Sequence, residues 1–257
     1  MIKRTRLVTL VLLSAASAVS VQAQLQTNAP PAKPKAKWTS SAAAGLTLTS
    51  GNSKTTLATV TAATDGKWDH SELSIEADGS YGRSKTTGQS TATTTAELLH
   101  GFVQYNWLFT DRAYGFGRVE GLHDGVADIN YRATLSAGVG YYFVKNAHTD
   151  LSADVGPGYV FQKLGNDSIS YATVRVGEKF HQALSDRARL WETAEILPQV
   201  DKLDNYIVNA EIGIEADLTK DQKFSLRSYV TDTFNNRPAA GRQKNDMMWV
   251  TAIAYKF

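Results

Sequence analysis

Met247-Met248-Trp249-Val250-Thr251-Ala252-Ile253-Ala254-Tyr255-Lys256-Phe257 closes the chain inside an alternating strand. Trp249, Ile253, Tyr255 and Phe257 share one face of it. A soluble domain rarely ends a strand on an exposed aromatic. A transmembrane β-barrel does so readily, because its last strand meets lipid on one side and closes the ring. Tyr255 and Phe257 read as the assembly signal of such a barrel, and the barrel assembly machinery is the expected partner.

The other end of the chain is compatible with this. Lys3, Arg4 and Arg6 precede an apolar run from Leu7 to Val19, and Val21-Gln22-Ala23 offers a small-x-small cleavage site. Residues 1–23 therefore read as a secretory signal peptide. Removing its three cations takes the formal charge from +2 to −1, which leaves no basic stripe for nucleic acid. Residues 24–37 carry Pro30, Pro31, Pro34, Lys33, Lys35 and Lys37 and read as a disordered leader, a bare spacer or else a basic tether. The chain holds no cysteine, so disulfides contribute nothing.

From Trp38 onward the period is two. Leu73, Ile75, Ala77, Gly79 and Tyr81 alternate with Glu72, Ser74, Glu76, Asp78 and Ser80. Tyr131, Ala133, Leu135, Ala137, Val139, Tyr141 and Phe143 alternate with Arg132, Thr134, Ser136, Gly138 and Gly140. No run approaches the ~20 apolar residues of a spanning helix, whereas strands of roughly 10 residues suffice for a tilted membrane strand. Such segments fall at 38–49, 55–68, 71–82, 93–107, 112–121, 131–143, 151–161, 170–182, 188–197, 205–218, 223–234 and 246–257. The expected fold is an all-β, antiparallel transmembrane barrel of about 12 strands over residues 38–257, with both termini in the periplasm.

Two segments read ambiguously. Tyr114 and Phe116 compete with Val119 for the outer face of the fifth. Glu192 and Glu195 fall on opposite faces of the ninth, so one of them needs a partner or a bulge. Even-numbered connections, such as Asp69-His70 and Ser185-Asp186-Arg187, read as short periplasmic turns. Odd-numbered ones, such as Leu122 to Asn130, Gln162 to Ile169, Pro198 to Asp204 and Asn235 to Asn245, read as longer external loops. Gln89 and Asn236 are thus expected outside the cell, and Asp186 in the periplasm. Aromatics gather at the strand ends, as membrane–water interfaces favour. Trp38, Trp68, Trp107, Tyr141, Phe143, Phe180, Phe224, Tyr255 and Phe257 form one belt. Tyr81, Tyr131, Tyr159, Phe161, Tyr206 and Trp249 form the other.

Trp38, then Gly45-Leu46-Thr47-Leu48-Thr49-Ser50-Gly51-Asn52-Ser53 and Thr55-Thr56, resembles the opening of the family called domain of unknown function 481. Gly138-x-Gly140-Tyr141 and the closing Asp246…Tyr255-x-Phe257 resemble it too. Members are described as salt-induced outer-membrane proteins. The resemblance implies a fold and an outer-membrane location, and brings no catalytic residue. Val250 and Ala252 depart from the usual closing pattern, where a polar residue and a glycine are common. The Ser50–Ser53 turn reads as hairpin chemistry, since Gly51 and Asn52 tolerate positive φ, or alternatively as a contact point for lipopolysaccharide.

Charge on a lipid-facing surface is costly, so the acids and bases of the strands are expected inside. The expected lumen-lining set is Glu72, Glu76, Asp78, Arg132, Asp154, Arg175, Lys179, Glu211, Glu215 and Arg227. Arg132 and Arg175 are expected to compensate carboxylates such as Glu76 and Glu211. Such charges either pair and fill the lumen, giving a structural envelope barrel, or line a narrow channel for ions or small solutes. A hydrolase is the third reading. His70 and His148 lie in turns, His123 in a loop, and His100 and His181 point inward. None sits in a Gly-x-Ser-x-Gly or metal-ligand pattern, so no catalytic residue, metal or cofactor is assigned. Outer-membrane lipid and lipopolysaccharide are the expected surroundings. The oligomeric state is not legible.

Overall fold

A computed structural model describes residues 36–49, 53–86 and 90–257. Residues 1–35, read from the sequence as a signal peptide and most of a leader, lie outside the described residues, as do residues 50–52 and Gln89. Twelve strands follow in sequence: β1 (Lys37–Thr49), β2 (Ser53–Lys67), β3 (Ser71–Thr86), β4 (Thr93–Leu108), β5 (Ala113–Asp124), β6 (Ile129–Lys145), β7 (Thr149–Leu164), β8 (Asp167–Ser185), β9 (Ala188–Gln199), β10 (Lys202–Asp217), β11 (Phe224–Asn235) and β12 (Asn245–Lys256). Each pairs antiparallel with its sequence neighbours, and β1 pairs with β12 to close the ring. Every strand is paired with a neighbour on each side, and closing the ring in this way is the condition for a sheet to stand in hydrocarbon.

Side chains alternate between two environments along every strand. On β6, Arg132, Thr134 and Ser136 are buried while Tyr131, Leu135, Val139, Tyr141 and Phe143 are exposed. Large apolar side chains therefore cover the outside, where lipid replaces the water they would otherwise meet. The β5 ambiguity resolves in favour of Val119, which is exposed, whereas Tyr114 and Phe116 are buried inside. Three of the other positions of that parity are glycine, at 115, 117 and 121, which is why the strand reads poorly.

The aromatic belts are built from ring contacts at the strand ends, between neighbouring strands and, for Tyr159 and Phe161, along one strand. Trp38 meets Trp68 edge-on at 5.2 Å, and Phe224 meets Tyr255 at 5.0 Å, both at the end of the short turns. Tyr159 meets Phe161 at 4.8 Å and Tyr206 stacks on Phe234 at 5.7 Å at the opposite end. Outward hydroxyls pair with one another rather than face lipid alone. Ser40 and Thr64 lie 2.8 Å apart, and Trp249 donates its indole N–H to Ser228 at 2.9 Å.

The expected contrast between short turns and long loops is largely absent. β7 and β8 are joined through Gly165 and Asn166 alone, and β9 and β10 through Val200 and Asp201. The hairpins continue beyond the apolar band, since a ladder satisfies its own backbone groups in water as well as in lipid. Alternation of hydrophobicity is no longer needed there, so the sequence signal ends before the strand does. His123 consequently lies on β5, not in a loop, with its ring 2.9 Å from the Asn130 carbonyl. In the β10–β11 turn, the Thr219 hydroxyl holds the Asp221 carboxyl below its ordinary range.

The last residue takes part in closure. The Phe257 backbone N–H donates to the Ser40 carbonyl at 3.1 Å, so it adds a hydrogen bond between the first and last strands as well as an aromatic ring. Deleting Phe257 is expected to reduce the folded, heat-modifiable species on semi-native gels of membrane fractions. Wild-type amounts would show that Tyr255 and Ile253 suffice for closure.

Candidate functional site: the barrel interior

The interior is identified by contacts between strands that are not neighbours in the ring. The Tyr142 hydroxyl on β6 donates to Glu72 on β3, and Lys145 Nζ reaches Glu72 at 3.1 Å. Arg227 on β11 donates to Ser41 on β1 at 3.0 Å. The Arg175 guanidinium on β8 lies 5.5 Å from the centre of the Phe116 ring on β5. Such pairs meet only across the lumen. By strand alternation Glu72, Glu76, Asp78, Arg132, Asp154, Arg175, Lys179, Glu211, Glu215 and Arg227 all stand on this inner face.

These side chains gather in separate groups. At the end of the short turns, Glu215 accepts from Arg227 at 2.5 Å and lies 3.1 Å from Arg189 and 2.6 Å from Lys256. Asp217 shares the last two cations, at 2.7 and 2.5 Å. Opposite them, Glu72 is held by Tyr142, Lys145 and Asn106, while the Tyr142 ring lies tilted against Tyr114 with centroids 5.2 Å apart. Side by side on the wall, His100 bridges Asp78 at 2.7 Å and Glu120 at 3.3 Å. Arg118 grips Glu120 with two N–H groups, at 2.9 and 2.7 Å, and covers the Phe102 ring at 3.8 Å.

Arg175 is the cation most enclosed by acid. It bonds Asp154 and, at 2.9 Å, Glu195, and Asn209 also donates to Glu195 at 2.8 Å. Its side chain is 8% exposed. The partners differ from those expected, because Asp154 and Glu195 occupy the neighbouring strands at its height while Glu76 and Glu211 do not. Arg132 is buried and donates to Gln162 at 2.8 Å, with no carboxylate in ion-pair range among the described residues. The β6–β7 register sets Gln162 opposite it. Glu211 accepts the Trp191 indole N–H at 2.6 Å. Glu76 and Lys179 have no hydrogen bond or ion pair among the described residues.

Towards the other end three apolar side chains, Leu122, Leu197 and Ile207, join Glu120, Arg132, Thr134, Glu195 and Asn209 around a cavity of about 20 Å³. That is room for one water molecule, not for a solute. Over this end the β11–β12 connection bends inward. The Asn236 N–H donates to the Tyr206 carbonyl at 3.0 Å, its amide donates to the Asp204 carbonyl at 2.6 Å, and Arg237 pairs with Asp204. Ala239 is buried and, with Leu164, Asp167 and Ile169 of the β7–β8 hairpin, lines a recess of about 370 Å³.

One expectation about charge is corrected. Glu195 turns inward, but Glu192 faces outward opposite Phe180 and Ile212, and Glu178 faces outward opposite Ala194. No bulge separates Glu192 from Glu195. Both outward acids lie nearer the turn end, beside the Phe180 of the aromatic belt, where the cost of charge falls as the headgroups come within reach.

Sequence reading missed Tyr114, Tyr142, Lys145, Arg118 and Glu120. Arg118 and Glu120 had the right spacing for one face of β5, but its glycines hid the parity. Lys145 turns inward only because of the irregularity between Tyr142 and Val144. Among the described residues no group of three or more His, Asp or Glu side chains is arranged so that it could hold a metal ion.

Replacing Arg175 by Met leaves Asp154 and Glu195 facing each other without their shared cation. Breaking a buried pair from one side typically costs about 3–5 kcal/mol. Arg175→Met is expected to lower the urea midpoint of the detergent-folded barrel clearly. The double change Arg175→Met with Glu195→Gln should restore part of it. An unchanged midpoint in the single variant would show that water reaches and screens the group.

The arrangement is that of a transmembrane barrel of the outer-membrane kind. Among solved structures, the chain is similar to an outer membrane channel from Pseudomonas putida F1, at 10% identity over 91% of this chain and 100% of that one, with a TM-score of 0.48. It is also similar to the translocator domain of the autotransporter NalP from Neisseria meningitidis, at 14% identity, 86% of each chain and a TM-score of 0.43. The outer membrane channel DcaP of Acinetobacter baumannii matches at 10% identity over 86% of this chain and 95% of that one, with a TM-score of 0.40. No curated protein matches the chain. The profile of one family covers residues 42–257, and the chain therefore belongs to that family, described as protein of unknown function, DUF481.

Proposed function

We propose that this protein is a structural barrel of the bacterial outer membrane, with an occluded lumen and no enzymatic role. The observation that carries this reading is the filling of the interior at two heights. Near the turn end, Glu72, Tyr142 and Lys145 tie β3 to β6. Nearer the loop end, Leu122, Leu197 and Ile207 close around a cavity of about 20 Å³. A 12-stranded ring is intermediate between small side-chain-filled barrels and open porins, and here Tyr142 and Lys145 reach Glu72 across it. In this reading the loop end, with Asn236, faces the cell exterior, and both termini face the periplasm.

A narrow cation path is the second reading. Glu76 and Glu211 stand inside without a cation in direct contact among the described residues, so a current that did pass would favour cations. The refolded protein in a planar bilayer is expected to be electrically silent. Steady single-channel conductance would replace the structural reading with the channel, and reversal potentials altered by Glu211→Gln would identify the selecting group.

Orientation is checked separately in a chain that has no native cysteine. Asn236→Cys is expected to react with an impermeant maleimide on whole cells, and Asp186→Cys only after the outer membrane is broken. The reverse pattern would invert the barrel.

A further inference from the structure

The ring is held unevenly. β1 shares thirteen residue pairs with β2, and β12 shares eleven with β11. Between β1 and β12 there are four, from Ser41–Lys256 to Ala44–Ile253. Strand length does not impose this limit. The same register carried on would bring Gly45 to Ala252, Leu46 to Thr251, Thr47 to Val250 and Leu48 to Trp249, and all eight residues lie within strands. The pairing stops at Gly45, where a side chain would collide with the Thr251 carbonyl and the Thr59 hydroxyl, each 2.6 Å from where its Cβ would stand. Beyond this close approach, Leu48 is 67% and Trp249 72% exposed.

The interior differs at the same place. Much of the lumen wall is polar, but behind this seam Ala43, Val250, Ala252 and Ala254 form an apolar cluster, joined by Tyr229 and Met248. An incomplete backbone ladder in hydrocarbon is costly, and it is kept here against an inner wall that a hydrocarbon chain would not find hostile. Side chains meet across the axis of the barrel at two heights, Glu72, Tyr142 and Lys145 at one and Leu122, Leu197 and Ile207 at the other; the β1–β12 seam is where the wall itself has the shortest pairing.

We propose that the upper β1–β12 seam opens laterally and admits the acyl chain of a bilayer lipid to the apolar cluster behind it. Leu46, Leu48 and Trp249 form the outer lip, Gly45 is the hinge, and Val250 and Ala252 are the inner surface the chain would touch. The route is independent of axial conduction, so an electrically silent barrel retains it.

The test uses the full chain in phosphatidylcholine proteoliposomes, with pyrenyl maleimide dissolved in the bilayer as the apolar probe. Ala252→Cys places a small thiol inside, behind the seam. Ser136→Cys places an equally buried, nearly isosteric thiol on the inner face of β6, away from it. Both variants are first shown to be heat-modifiable. The thiol at 252 is expected to react at least tenfold faster than that at 136. Equally slow reaction would overturn the lateral route. Equally fast reaction would also overturn it, because the probe would then reach the lumen without using the seam.

Discussion

Everything in this molecule depends on the satisfaction of backbone hydrogen bonds where no water can supply them. In hydrocarbon an unpaired N–H or C=O costs several kcal/mol, on the order of the desolvation of an amide. A sheet meets this demand only by closing on itself. Closure fixes which face of each strand meets lipid, and that in turn dictates the alternation of residues. The charged interior is a consequence, since acids and bases excluded from the outer face collect inside and must find one another there. The weakest part of the ring is accordingly the place where first and last strands must meet without a connecting turn.

The interior divides by height. At the turn end, carboxylates outnumbered by cations bind Arg189, Arg227 and Lys256 into one group, and Glu72 is gripped from across the lumen. Higher up, Arg175 and Arg118 are each sandwiched between acid and an aromatic ring. Buried ion pairs contribute little net stability against an apolar alternative, but their removal from one side is expensive. They specify an arrangement more than they strengthen it. Such an interior suits a barrel whose lumen is to stay closed.

Strand parity was legible because lipid imposes it. Leu73, Ile75 and Tyr81, or Leu135, Val139 and Phe143, cannot face anything else. The hairpin tips were not legible, since beyond the apolar band nothing enforces alternation, and Gln162–Asp167 continues as ladder with the composition of a loop. The glycines of β5 removed the outer signal that would have placed Tyr114 and Phe116 inside. Pairing within the lumen was beyond the sequence for a different reason. Parity says that Arg132 and Arg175 point inward, but only the stagger between strands decides that one meets Gln162 and the other Asp154 and Glu195.

Amide hydrogen exchange, resolved by residue in lipid nanodiscs, tests the central claim that the backbone ladder is shortest at the first-to-last seam, with four residue pairs, and leaves the upper part of that seam unpaired. The account predicts slow exchange at amides paired across β6, β7 and β8, and fast exchange at Leu46, Leu48, Trp249 and Thr251. Uniform protection around the ring, with those four amides as slow as their neighbours, would contradict it.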